Sequence, residues 1–127
     1  MSPQNITPEI IAFLTERHLA SLTTLRKDGS PHVVPVGFSF DVASNEVRII
    51  TFAGSQKVKN AERGGRAVVS QVDKGRWLSL EGTVRATTDA TEVAQAVAGY
   101  AARYQAPKER VDRMAIIITV DKILGRA

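Results

Sequence analysis

The residues best placed to do chemistry stand at one junction, "FAGSQKVKNAERGG", residues 52 to 65. Gly54 lets the backbone approach closely, and Ser55 is a suitable N-cap for a helix that starts at Gln56. The free amides of Gln56 and Lys57 then point at the space ahead of the helix, where a phosphate is favoured. Lys57 adds a full positive charge, and Lys59, Arg63 and Arg66 extend the field toward a longer anionic ligand. The same residues also fit an ordinary capped surface helix with solvated lysines, because the spacing is that of no known phosphate loop.

Two further stretches carry unusual residues. In "VPVGFSF", Pro35 and Gly37 interrupt a strand-like run; proline removes a ladder donor and glycine weakens pairing, so the pair marks an edge, a bulge or a close approach to a ligand. A flat ring fits there, and so does a plain bend of a barrel. In "RWLSLEG", the only tryptophan, Trp77, follows Arg76 and comes shortly after Gln71. Alternation places Trp77, Ser79 and Glu81 on one face and Leu78 and Leu80 on the other. Trp77 is then available to stack on a ligand, or to sit half-buried at an interface.

Other chemistries lack their residues. The two histidines, His18 and His32, have no nucleophile motif beside them, and the chain has no cysteine. A Ser-His-Asp set, a thiol nucleophile, a disulfide and a clustered metal site are therefore not expected. No catalytic side chain and no metal ligand is assigned.

The elements that would position these residues can be read from periodicity. "NITPEIIAFLTERH" offers Thr7 as a cap, Pro8 at the first helical position, Glu9 in the first turn, and an apolar stripe of Ile10, Ile11, Phe13 and Leu14. From His18 the period becomes that of strands: "LASLTTL" and "HVVPVGFSF" flank an Asp28-Gly29 turn, and "EVRIITFA" follows the turn at 41 to 45. After a short helix near 55 to 63, "RAVVSQV" and "RWLSLEGTVRAT" form a second hairpin around Asp73-Lys74-Gly75. "DATEVAQAVAGYAARYQ" returns to helical spacing, with Val93, Ala96, Val97, Tyr100 and Ala101 on one side, and "RMAIIITVDKILG" closes the chain as a sixth strand. Mainly antiparallel strands with short helices predict a small six-stranded barrel of α+β class, in one domain spanning 1 to 127. So small a barrel leaves a large ligand to its outside or to a subunit seam.

With 127 residues, 43% of them hydrophobic, the chain can bury a real but small core, which a partner subunit would supplement. A net charge of +4 with dispersed basic residues suits an anionic partner. Nucleic acid is not expected, for want of helix-turn-helix spacing, zinc ligands or an aromatic-rich strand. No apolar run approaches the roughly 20 residues that span a bilayer, and the N-terminus has no leader pattern, so a cytoplasmic location is expected.

Taken in order, "LASLTTLRKDGSPHVVPVGFSFD", "VRIITFAGSQKVKNAER" and "VVSQVDKGRWLSLEGTVR" resemble the split β-barrel flavin and deazaflavin oxidoreductases, the superfamily of pyridoxamine 5′-phosphate oxidase. The likeness runs from about His18 to Gly125. "GSQK", "SQVD" and "RWLSLEG" bring it nearest to the branch that uses coenzyme F420, and within it to the F420-dependent biliverdin reductases. The resemblance implies the FMN-binding split-barrel fold and a homodimer with cofactor sites at the interface. It also implies hydride transfer from C5 of the reduced deazaflavin to a conjugated small-molecule acceptor, with biliverdin or a similar tetrapyrrole first. By position, Pro35, Val36 and Gly37 would line the ring, Ile50 and Thr51 would contact it, and Ser55, Gln56 and Lys57 would hold the phosphate. Gln71, Arg76 and Trp77 match positions that border the site near the seam.

Pyridoxamine phosphate oxidases carry a longer C-terminal segment with arginine and tryptophan for their substrate, whereas this sequence ends at "VDKILGRA", which points away from vitamin B6 chemistry. FMN fits the same phosphate site as the alternative cofactor. An FMN-dependent enzyme of the oxidase type, or a non-catalytic protein that binds flavin, deazaflavin or tetrapyrrole, would share these features. A rim of Arg26, Lys27 and His32 is the expected contact for acceptor carboxylates.

Overall fold

Proline and glycine decide where the second strand stops. In the computed structural model, which describes residues 2–127 apart from the Gln4 side chain, the run "HVVPVGFSF" is two strands, β2 (Pro31–Val36) and β3 (Ser39–Asp41), with Gly37 and Phe38 between them. The antiparallel sheet therefore has seven strands, a correction to the expected six. Its physical reason is that the chain leaves one sheet edge at Val36 and joins the opposite edge at Ser39.

The other elements are α1 (Pro8–Thr15), β1 (Ala20–Leu25), β4 (Glu46–Phe52), α2 (Gln56–Glu62), β5 (Arg66–Asp73), β6 (Arg76–Thr87), α3 (Ala90–Arg103) and β7 (Arg113–Arg126). Strand order is β2-β1-β5-β6-β7-β4-β3. The turns behave as their residues demand: Gly29 and Asn45 take positive φ, as does Lys74 in the β5–β6 turn. The longest ladder, β6 with β7, shifts register between Glu81 and Gly82, a bulge that lets long strands bend around the core.

The core lies on one face of this sheet. Leu22, Val69, Leu78, Leu80, Ile116 and Ile118 are fully buried there, under Phe13 of α1 and Phe38 of the β2–β3 link. Thr7 caps α1 by accepting from the Ile10 amide at 3.2 Å, and Ile10, Phe13 and Leu14 are buried as the stripe required, while Ile11 turns outward. The outer face is different: Leu25, Val33, Val72, Trp77 and Leu124 are all substantially exposed. Val72 stands opposite Trp77, and Ser79 opposite Leu124, so these residues share one surface.

Beneath the β2–β3 link sits a buried polar knot. The Arg103 guanidinium, 8% exposed, donates to the Glu16 carbonyl at 2.8 Å, the Phe38 carbonyl at 2.9 Å and Gln71 Oε1 at 2.7 Å. Gln71 Nε2 donates in turn to the Phe13 carbonyl at 3.1 Å. The Tyr104 hydroxyl donates to the His18 carbonyl at 2.5 Å and accepts from the Phe38 amide at 3.2 Å. Every polar group withdrawn from water here finds a partner, as burial requires. The knot ties α1, β5 and the end of α3 to the segment that carries Gly37.

Candidate functional site

The segment between Pro35 and Gly37 faces a cleft of about 620 Å³ whose opposite wall is Ile50, Thr51 and Phe52 at the end of β4. Lys57 enters from the first turn of α2, Tyr100 from α3, and residues 105 to 110 with Arg113 close the remaining side. Gly37 is needed because a Cβ there would lie 2.9 Å from Tyr100 Cε2 and 3.0 Å from Tyr104 Cε2. Those two rings pack with centroids 4.9 Å apart, so the glycine lets a flat aromatic wall stand against the strand end.

Ser55 does cap α2, accepting from the Val58 amide at 3.3 Å. Its hydroxyl also lies 3.2 Å from the Thr51 hydroxyl, which fastens the helix start to the buried end of β4. Gly54 has φ +85° with open space where a Cβ would be, the left-handed turn that leads into the helix. The Gln56 side chain is committed to Asn60, donating at 2.8 Å, so only its backbone amide faces forward.

Lys57 is partly withdrawn from water, and this burial lowers its pKa. Among the described residues no carboxylate pairs with it; its nearest recorded contact is the Phe52 ring, 5.5 Å from Nζ. A half-desolvated ammonium without a counter-charge fits an anionic ligand. The other basic residues expected to extend the field behave differently. Arg66 is held by Asp121 at 2.6 Å and Glu81 at 3.0 Å, and Arg63 donates to the Leu25 carbonyl and Asn60, both at 2.7 Å. Lys59 remains exposed.

Sequence reasoning missed one wall of the cleft. The stretch 105 to 113 has neither period, and its neighbours are distant in sequence. The Ala53 amide donates to the Asp112 carbonyl at 3.0 Å, and Arg110 lies over the Phe52 ring at 4.2 Å while bonding Asp112 at 2.8 Å. Lys108, Arg110 and Arg113 thereby join Lys57 around one opening. The only legible signal was their number within six residues of "KERVDR".

Six of the expected residues, Pro35, Val36, Gly37, Ile50, Thr51 and Lys57, line this cleft, and Ser55 and Gln56 adjoin it through Thr51 and Lys57. Gln71, Arg76 and Trp77 do not line it within one chain. Gln71 belongs to the buried knot. Arg76 bonds Glu16 at 2.8 Å and Asp73 at 2.7 Å and lies over Phe13 at 4.4 Å. Its hydrogen bond, with a smaller one from His18, holds the Glu16 carboxyl at about 2. Glu16, His18 and Asp73 bring ligand-type atoms within 4.8 Å of one another, yet the Arg76 guanidinium already bonds both carboxylates. Trp77 faces outward, 40% exposed. Arg26 folds back on the Pro31 carbonyl at 2.7 Å, and neither it nor Lys27 nor His32 lines the cleft.

No helix among the described residues is long and apolar enough to cross a membrane. Residues 6–127 match the pyridoxamine 5′-phosphate oxidase family. A biliverdin reductase of Mycobacterium tuberculosis that depends on reduced coenzyme F420 is 50% identical over 122 residues, covering 96% of this chain and 89% of that protein. Among solved structures, a conserved hypothetical protein of M. tuberculosis superposes with a TM-score of 0.80 at 20% identity, over 95% of this chain and 84% of the other. An F420 reductase superposes with a TM-score of 0.76 at 23% identity, over 94% and 98%. Family match and sheet agree, and the chain belongs to the pyridoxamine 5′-phosphate oxidase family.

Proposed function

We propose that this protein is a reductase that uses coenzyme F420 to reduce a conjugated small-molecule acceptor, biliverdin first among them. The observation that carries the reading is Lys57: a partly desolvated cation with no carboxylate partner among the described residues, at the mouth of a ring-sized cleft walled by Pro35–Gly37 and Thr51. Half identity to an F420-dependent biliverdin reductase, across nearly the whole of both chains, supports it. Ser55, Gln56 and Lys57 bind the cofactor phosphate through amides and charge. Pro35, Val36, Gly37, Ile50 and Thr51 receive the ring. Bound there in reduced form, the deazaflavin would supply two electrons as a hydride from C5, with solvent as the source of the accompanying proton. No side chain needs to act as a general acid; the protein's part is to position the acceptor against the cofactor.

We further propose that residues 1 to 127 act as one domain, that the sheet curls into a split barrel, and that two copies pair through the outer face bearing Leu25, Val33, Val72, Trp77 and Leu124. An exposed apolar surface of this kind is the mark of a partner contact. Pairing gives Trp77 and Arg76 of one copy a route to the cofactor of the other. The function is tested by mixing the protein with reduced F420 and biliverdin under anaerobic conditions. Equimolar loss of biliverdin absorbance and recovery of oxidised F420 absorbance is expected. Tight cofactor binding without turnover would overturn the reductase reading.

A further inference from the structure

A second space adjoins the cleft and has no assigned role. It measures about 580 Å³ and lies between α3 and the segment 107 to 113. The two spaces share Pro107, Lys108, Glu109, Arg110 and Arg113 as walls, so they adjoin along one segment. The apolar stripe of α3 lines both, with Val93 and Val97 in the second space and Tyr100 in the cleft. These positions are four and three residues apart, which places them in a row on one helix face. Of that stripe only Ala96 is buried; Val93, Val97 and Tyr100 are half-covered. Val111, at the rim, is fully exposed.

The charge of the rim is lopsided. Arg110 is paired with Asp112, and Arg113 donates one hydrogen bond to the Lys108 carbonyl. The Lys108 ammonium has no recorded partner among the described residues, and Glu109 is the only carboxylate among the residues lining either space. An apolar trough with a surplus of cations at its edge is complementary to a flat hydrophobic acid: the body covers the valines and a carboxylate meets the lysine.

We propose that the two spaces act as one groove that receives a carboxylate-bearing arm of the acceptor, with Lys108 as its charge partner, while the conjugated body reaches along Tyr100 into the cleft. The inference rests on the reductase reading above and adds to it where the acceptor lies and why it should be an acid. It also moves the acceptor's carboxylate contact from the β1–β2 hairpin, where Arg26, Lys27 and His32 lie, to the far end of α3.

The test is binding, not turnover. Wild-type protein saturated with oxidised F420 is titrated with biliverdin and with its dimethyl ester, following the circular dichroism induced in the bound pigment. The acid should bind about tenfold tighter than the ester, the effect of one charge-assisted contact. Lys108→Glu should abolish that preference, and Val97→Phe should weaken both ligands by filling the trough. Equal binding of acid and ester by the wild type, an undiminished preference in Lys108→Glu, or no binding of either pigment would each overturn the proposal. Failure of the reductase reading shows separately, as reduced F420 that is never oxidised although the preference for the acid is present.

Discussion

Replacing Lys57 by alanine is expected to weaken F420 binding about ten- to a hundredfold, the consequence of losing a charge-assisted phosphate contact of about 1.5–3 kcal/mol. The structure makes Lys57 the cation to lose. Arg66 is already satisfied by Asp121 and Glu81, and Arg63 by the Leu25 carbonyl and Asn60, so neither can replace it without breaking its own bonds. Burial lowers the Lys57 pKa, which gives the interaction a pH signature. Binding requires the charged amine, so affinity should fall as pH rises through that lowered pKa, and Lys57→Ala should remove this alkaline arm. Lys57→Arg should restore part of the affinity, since charge returns with a different shape. Titration of wild type and variants by F420 fluorescence decides the matter. Unchanged affinity in Lys57→Ala would remove the phosphate assignment.

The largest expected effect on stability belongs to Arg103. Its guanidinium satisfies three acceptors, the carbonyls of Glu16 and Phe38 and Oε1 of Gln71, and lies 4.7 Å from the centre of the Phe38 ring. Arg103→Met keeps much of the volume but removes every donor. Leaving buried acceptors unpaired costs about 1–3 kcal/mol each. Partial relief comes from the Tyr104 hydroxyl, which also reaches the Phe38 carbonyl at 3.4 Å. The net loss should be about 3 kcal/mol, seen as a fall in Tm of about 10 °C. Arg103→Lys should recover little, because an ammonium cannot serve three diverging acceptors as a planar fork does. Variants that melt within a degree or two of wild type would show that the knot contributes no stability.

Much of this arrangement was legible because it is local. Turn residues and alternation located the hairpins at Asp28-Gly29 and Lys74-Gly75, and the caps Thr7 and Ser55 hold α1 and α2 as their spacing demanded. The outward Trp77 and inward Leu78 and Leu80 follow directly from period two. What was not legible depends on long-range pairing. The run "VPVGFSF" reads as one interrupted strand, and only the pairing of Ser39–Asp41 with β4 makes it two. Arg103 looks like any charged residue near the end of a helix, and Gln71 like a strand residue beside a ligand. Their burial against each other follows from helix–sheet packing between residues far apart in sequence. The basic segment 107 to 113 has no periodic pattern, and it becomes a wall because β7 pairs with β4 and brings Arg113 opposite Phe52.

Isotope transfer tests the central claim most directly. Reduced F420 carrying deuterium at both C5 positions is mixed with the protein and biliverdin in ordinary water without oxygen, and the reduced acceptor is weighed by mass spectrometry. One deuterium is expected in the product for each cofactor oxidised, with the second hydrogen drawn from solvent. Product formed without deuterium, or deuterated cofactor left intact while the pigment stays bound, would contradict it.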